Sequence, residues 1–352
     1  MKKSFLLVLV LSGVPIWAQA QSSSVPSTPD LSAIKTYLLG KTAALVSATG
    51  GLETLGQQYY DLAKAVDFDY EALWTDHQAE VSTLLLGARD AWTIASPTYE
   101  QMEGIVAGTP SLAQYDVDID AGSAASEDPE NAVSFDITLP DGTVLEKPGN
   151  LMGVTESTLY GTFANFSSGV EADLNGDGTL EFSDVLPDAN VLLGGVQKLA
   201  ATATELEASA EAWEPTESDA FTALIVMVPT MTEYFASWRD SRFVEGESSS
   251  QRDFVAISRL ADIGDILGGL EIVLGSVSPQ IVTVDEAQSQ QLATRLTGLQ
   301  DYVAKIYDQE QSGKRFTPEE ADVLGVEAQD RATAITGQLV QVAGVLGVTV
   351  EN

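Results

Sequence analysis

"FDYEALWTDHQAEVSTLLLGARDAWTIA", residues 68–95, decides the fold class of this 352-residue chain. Leu73, Val81, Leu84, Leu85, Ala88 and Trp92 recur at steps near three and four, the spacing that gathers side chains on one face of an α-helix. A period-2 strand would scatter them over both faces. The stretch therefore reads as one long amphipathic helix, punctuated at Pro97, with "TYEQMEGIVAG" as a further helix behind it. On its N-terminal side, Asp30 is a plausible cap for a helix from Leu31 to about Ser47. Gly50-Gly51 is expected to break the chain before a second helix that ends near Val66.

The second half repeats the pattern. Helices are expected over Leu192 to about Ala212, Ser218 to about Arg242, Arg252 to about Leu274, Asp285 to about Tyr307 and Pro318 to about Leu346, separated by short Gly, Ser or Pro breaks. Several are too long for an α/β crossover. Short loops between long amphipathic helices imply an all-α fold of antiparallel bundles. The texture changes only between about Thr109 and Pro148, where "VSFDITLPDGTVLE" alternates apolar residues around Pro140-Asp141-Gly142 and predicts a small β-hairpin. The expected organisation is a leader at 1–20, a flexible linker at 21–30, an N-terminal bundle with the hairpin over 31–190, and a C-terminal bundle over 191–352.

Charge narrows the partners. Asp and Glu number 52 against 17 Lys and Arg, a formal net charge of −35. Such a field repels nucleic acid and anionic lipid and concentrates cations. The absence of Cys excludes disulfides, thiolate metal sites, cysteine nucleophiles and a lipidated Cys. Lys2 and Lys3, an apolar run from Phe5 to Trp17 and the small-x-small Ala18-Gln19-Ala20 form a signal peptide, so export with a mature start near Gln21 is expected, periplasmic or secreted. No later segment is long and uncharged enough to read as a membrane span.

Within the acidic stretch from Asp116 to Asp188, which holds 16 Asp and Glu and a single basic residue, Lys147, lies "DLNGDGTLEFSD" at 173–184. Asp173, Asn175 and Asp177 fall at positions 1, 3 and 5 of an EF-hand loop. Gly178 falls at 6, Thr179 at 7 through its carbonyl, Glu181 at 9 and Asp184 at 12. Alternating oxygen donors around a glycine turn suit Ca²⁺, which takes six to eight oxygens. Asp at position 12 has a shorter reach than the usual bidentate Glu. With no second loop to pair with, a structural staple is expected rather than a sensor. An acidic surface turn without an ion is the competing reading.

Other candidates are sparser. His77, the only histidine, stands three residues before Glu80, and the two share a helix face that could contribute to a metal site. A solvated histidine is the plainer reading. Glu100 and Glu103 also stand one turn apart, with Trp92 and Tyr99 near enough to enclose them, although an exposed face is the default. One histidine cannot make HExxH, no Gly-x-Ser-x-Gly elbow, P-loop or dinucleotide fingerprint is present, and basic-aromatic interleaving for nucleic acid is missing.

"SRLADIGDILGGLEIVLGSVSPQIVTVDEAQSQQLATRLTGLQDYVAKI", 258–306, with "FTPEEADVLGVEAQDRATAITGQLVQVAGVL" after it and "WRDSRF" at 238–243 before it, resembles the C-terminal part of the imelysin-like family. That family includes EfeO-type periplasmic proteins of bacterial iron uptake. "NLMGVTESTLYGT", 150–162, resembles the segment carrying the family's His-x-x-Glu motif; here Gly153 takes the His place and Glu156 remains. The resemblance implies two related helical bundles, an exported location, and metal acquisition assisted by envelope iron-uptake components. Its classification with metallopeptidases is weak support for an enzyme. It leaves Glu156 as the remnant of that motif, with His77 and Glu80 on another helix as an alternative source of imidazole. Apolar neighbours around Glu156, Glu103 and Asp240 suggest partial burial and make the three a residual acidic site, where an ion or a cation partner such as Arg239 or Arg242 would offset the cost of buried carboxylates. Loss of the imidazole leaves an all-oxygen site, suited to Fe³⁺, Ca²⁺ or Mn²⁺. The leading expectation is thus a non-catalytic metal-binding protein of iron uptake. A calcium-stabilised surface or adhesion protein comes second and a metallopeptidase third.

Overall fold

A computed structural model describes residues 29–351; the leader and most of the linker read from the sequence lie outside them. The chain is all-α. In order it forms α1 (Ser32–Ala65), α2 (Tyr70–Val106), α3 (Ala113–Asp116) and a π-turn (Val117–Ala121). The hairpin strands β1 (Ile137–Thr138) and β2 (Val144–Leu145), α4 (Leu151–Leu159), and strands β3 (Ser167–Glu171) and β4 (Val185–Pro187) follow. The second half is α5 (Ala189–Ala212), α6 (Glu217–Met227), α7 (Met231–Asp240), α8 (Arg242–Glu245), α9 (Arg259–Val284), α10 (Glu286–Gln311) and α11 (Pro318–Leu346).

Two expected breaks are absent. Gly50 and Gly51 lie inside α1, which runs unbroken because Leu45, Thr49, Leu52 and Gly56 on either side are buried. A Cβ on Gly56 would come within 2.9 Å of Val196 Cγ2, so the glycine lets α5 approach. Packing of that face outweighs the roughly 1 kcal/mol helix penalty of each glycine. Pro97 likewise sits within α2, whose buried Trp92, Ala95, Tyr99 and Met102 continue one stripe across it. The backbone of α2 departs from helical geometry instead at His77.

The hairpin forms as expected, with Ile137 opposite Leu145, Thr138 opposite Val144 and Gly142 at φ +89° in the turn. The long helix expected over Ser218–Arg242 divides at Pro229, whose missing N–H turns Val228–Thr230 into a 3₁₀ turn between α6 and α7. Its run Glu217–Asp240 is apolar enough for a membrane span by composition. Phe221, Leu224, Met231, Phe235 and Trp238 are nevertheless buried in the protein core. The next helix begins at Arg259 rather than Arg252, leaving the residues just before it as a non-helical strap. α11 starts at Pro318 behind a capping box of Thr317 and Glu320.

α1 packs between α2 and α5, α2 against α9, α9 against α10, and α11 against both α10 and α7. One continuous apolar core runs through all of them, from Leu31 to Ala343. α9 lies at the centre of this arrangement, packed against α1, α2, α6, α7, α10 and α11. Fully burying each of its Leu260, Leu267 and Leu270 contributes about 1.5–3 kcal/mol. α2 and α9 cross in close contact: a Cβ on Gly104 would meet Leu270 Cγ at 2.9 Å, and one on Gly269 would meet the Gln101 carbonyl oxygen at 2.5 Å. This crossing carries Glu100 and Glu103 to the start of α9.

Candidate metal centre

Glu100 and Glu103 project from the same face of α2, and both are buried. Asp116 ends α3, and Asp120 lies in the π-turn that follows, where Gly122 N–H donates to Val117 O at 2.8 Å. The π-turn adds a residue to the helical step and brings Asp120 inward, beside Asp116; such single-turn widenings are frequent at functional sites. α9 supplies Arg259 at its first position, behind the cap Ser258, and Asp262 one turn later. α7 supplies Tyr234.

These residues converge. Arg259 Nη1 stands 3.2 Å from Glu100 Oε2 and 3.3 Å from Asp262 Oδ2, and Nη2 stands 3.4 Å from Asp120 Oδ2. Tyr234 Oη donates to Glu103 Oε1 at 2.7 Å, and Tyr99 Oη donates to Asp116 Oδ1 at 2.7 Å. Among the described residues, Glu100, Glu103 and Asp120 form the cluster in which three carboxylates bring one oxygen each within 4.8 Å of one another.

The electrostatics are unbalanced. Five buried carboxylates (Glu100, Glu103, Asp116, Asp120 and Asp262) surround one guanidinium. Burial pushes Glu100, Asp116 and Asp262 well above the ordinary carboxylate range, and repulsion from neighbouring carboxylates, Glu103 and Asp120 acting on all three, adds to it. Burial also lifts Asp120 to about 7 against the pull of Arg259. Burial works against the charge of Arg259, but Glu100, Asp120, Glu103 and Asp262 outweigh it and hold the guanidinium firmly protonated. Four carboxylate oxygens have no hydrogen-bond partner among the described residues: Glu100 Oε1, Glu103 Oε2, Asp120 Oδ1 and Asp262 Oδ1. Each unpartnered buried group costs about 1–3 kcal/mol, more when charged. A bound cation would offset that cost, and an all-oxygen donor set is matched to hard ions such as Fe³⁺, Mn²⁺ and Ca²⁺.

A cavity of about 580 Å³ opens beside the cluster, lined among others by Glu103, Asp116, Asp120, Gly153, Asp253 and Arg259. Its outer wall is the strap before α9. Glu156 holds that wall: Oε2 accepts from Phe254 N at 2.7 Å, and Oε1 accepts from Val255 N at 3.2 Å and Ala256 N at 2.9 Å. Phe254 takes φ +52°, a left-handed backbone unusual for a bulky residue, and its ring lies 4.2 Å from the Arg259 guanidinium. Arg252 pairs with Glu127 at 2.7 Å and covers Phe163 at 3.7 Å.

The structure separates the expected residues. Glu103 lies in the cluster. Glu156 stands at its border with both oxygens engaged by the strap, while Gly153 faces the cavity, its added Cβ falling 3.2 Å from Asp253 Oδ2. Asp240 lies elsewhere, on the surface, paired with Arg239 at 2.6 Å; Arg239 also binds Asp322 at 2.9 Å. Arg242 covers Phe182 at 3.3 Å. The buried cation is therefore Arg259, not Arg239 or Arg242, because Arg259 reaches Glu100 from the start of α9, whereas Arg239 pairs with Asp240 and Asp322 and Arg242 lies over Phe182. His77 Nδ1 and Glu80 Oε2 are 3.8 Å apart on an exposed part of α2. Asp116, Asp120, Arg259 and Asp262 escaped the sequence reading. The one signal available was acidic residues set among apolar ones in "YDVDIDA" and "RLADIGD".

The loop at 173–184 joins strands β3 and β4 instead of two helices. Asp173 accepts from Gly176 N at 2.8 Å and Gly178 N at 2.7 Å, and both glycines take positive φ. Asn175 accepts from Asp177 N, Asp177 from Thr179 N, and Asp184 from Glu181 N. Thr179 and Glu181 are exposed. Arg89 fastens the loop's end by donating to Ser183 O at 2.6 Å and Leu159 O at 3.1 Å.

The family model described as Imelysin (peptidase M75) matches residues 55–340. The crystal structure of an imelysin-like protein from Psychrobacter arcticum 273-4 is similar at a TM-score of 0.44 and 14% identity, over 92% of this chain and 99% of that one. No curated protein matches the chain.

Proposed function

The chain belongs to the imelysin family, and from that premise we propose that it binds a hard metal cation at Glu100, Glu103 and Asp120 and serves metal acquisition, iron foremost, at the cell envelope without catalysing a reaction. The observation that carries this reading is the set of unpartnered, buried carboxylate oxygens on those three residues beside a cavity. An interior with five carboxylates and one guanidinium is a poor structural device, since buried ion pairs are weak contributors to stability even when balanced. It is a good receptor for multivalent charge. The basic, apolar and Ala-x-Ala run of residues 1–20 supports export. The site has no imidazole, so zinc-type peptidase chemistry lacks its usual ligands.

A second cation belongs to the reading. The EF-type spacing of Asp173, Asn175, Asp177, Thr179, Glu181 and Asp184, with Gly176 and Gly178 already in the left-handed turn, supports a calcium staple between β3 and β4. Calorimetric titration of the chelator-treated mature protein with ferric nitrilotriacetate and with Ca²⁺ separates the two. Iron binding should be lost in Glu103→Gln and kept in Asp173→Ala, and calcium binding should show the reverse. Iron binding unchanged in Glu103→Gln would overturn the acidic-cluster site.

A further inference from the structure

Arg259 stands where a cation is electrostatically misplaced. It is the first residue of α9, at the helix end that favours anions and disfavours cations, and it is 5% exposed. The surrounding carboxylates hold it there, yet it is locked to none of them. Its contacts with Glu100, Asp262 and Asp120 measure 3.2, 3.3 and 3.4 Å, whereas a guanidinium clamped on a carboxylate makes paired bonds of about 2.7–2.9 Å. Its Nε has no partner, and each of those three acids keeps an unpartnered oxygen. The guanidinium neutralises the cluster without satisfying it. The rings of Tyr234 and Phe254, 4.7 and 4.2 Å away, offer a cationic resting place that does not depend on the carboxylates.

Resting on the metal-binding reading above, we propose that Arg259 is the resident counter-cation of the site, displaced from Glu100 and Asp120 by an incoming multivalent ion and returning when the ion leaves. This makes Arg259 a specificity-determining residue. A monovalent ion brings no more charge than the guanidinium it would replace, so it gains nothing by entering. A divalent or trivalent ion brings more and wins the carboxylates. The tethered guanidinium thus excludes sodium and potassium and keeps the acidic interior folded between cargoes.

The test compares Arg259→Gln with its parent, both carrying Asp173→Ala so that the 173–184 loop contributes nothing. The probe is La³⁺, a hard, diamagnetic trivalent ion, titrated at neutral pH with and without physiological potassium. The substituted protein should bind La³⁺ at least ~10-fold more tightly, and potassium should weaken that binding only when Arg259 is gone. Equal or weaker La³⁺ binding in Arg259→Gln, with binding intact in the parent, overturns the counter-cation role alone. No La³⁺ binding in the parent overturns the metal-binding reading and this proposal together. Should Arg259→Gln fail to fold, ¹⁵N-arginine labelling of the parent gives the answer directly. The Arg259 Nε–H resonance should move on La³⁺ saturation, and an unmoved resonance under demonstrated binding overturns the proposal.

Discussion

Replacing Asp120 by Asn should stabilise the metal-free protein at alkaline pH while weakening its hold on metal. Burial raises Asp120 from 3.8 to about 7. A carboxyl raised in the folded state contributes stability that is fully present below its unfolded value and is lost as pH rises through the folded value. At about 1.4 kcal/mol for each tenfold change in proton affinity, the rise corresponds to roughly 4 kcal/mol lost between pH 4 and pH 8. Asn does not titrate and escapes that loss. It gives up only the 3.4 Å contact with Arg259, worth about 1–2 kcal/mol in a geometry this long. Urea unfolding in the presence of chelator should therefore place Asp120→Asn about 2–3 kcal/mol above wild type at pH 8 and within about 1 kcal/mol of it at pH 4.5. Calorimetry should show weaker iron binding in the same variant. If Asp120→Asn is instead destabilised at pH 8 as much as at pH 4.5, Asp120 is a paired structural carboxylate and the unbalanced-cluster argument fails.

Calcium should raise the melting temperature of the wild-type protein, by an amount equivalent to about 2.7 kcal/mol at a hundredfold excess over the dissociation constant. Asp173→Ala should abolish the rise, and a wild-type melt indifferent to calcium and chelator would refute the staple. Gly153→His should restore an imidazole to the cavity wall beside Asp253, at the expense of a small adjustment of Asn150 and Asp253, whose oxygens lie 3.1 and 3.2 Å from the added Cβ. It should tighten Zn²⁺ binding by about tenfold or more with little change for Ca²⁺, and calorimetry showing no gain for Zn²⁺ would place Gly153 outside the metal's reach. His77→Ala, on the exposed face of α2, should leave iron affinity unchanged and stability within about 0.5 kcal/mol; a loss of iron binding would reinstate the histidine as a ligand.

The helices were legible because their burial follows a local period. Leu73, Val81, Leu85, Ala88 and Trp92 all became core residues, and α11 begins at the expected Pro318. Breaks were harder, because a glycine pair or a proline costs only a few kcal/mol and a well-packed face overrides it. Gly50-Gly51 and Pro97 lie inside helices for that reason, whereas at Pro229 the chain tightens into a 3₁₀ turn while the buried run Leu224, Val228, Met231, Phe235 and Trp238 continues across it. The acidic site was half legible. Glu103 could be chosen for its apolar neighbours, and the His-x-x-Glu resemblance led to Gly153 and Glu156 on the cavity's border. Arg259 and Asp120 could not be chosen, since residues 100, 120 and 259 meet only through the crossing of α2 and α9 and the widening of the π-turn, and neither leaves a periodic trace. Asp240 illustrates the converse: an acid in an apolar sequence context finds its partner, Arg239, next to it on the surface.

The central claim is that the buried carboxylates of α2 and the π-turn hold the metal. Anomalous diffraction at the iron edge from crystals of the mature protein grown with ferric nitrilotriacetate tests it most directly. A peak within roughly 2.0–2.6 Å of carboxylate oxygens of Glu100, Glu103 and Asp120, with the Arg259 guanidinium turned from Glu100 toward the Tyr234 and Phe254 rings, is the expected result. A peak confined to the loop at 173–184, or no protein-bound iron at all, would contradict it.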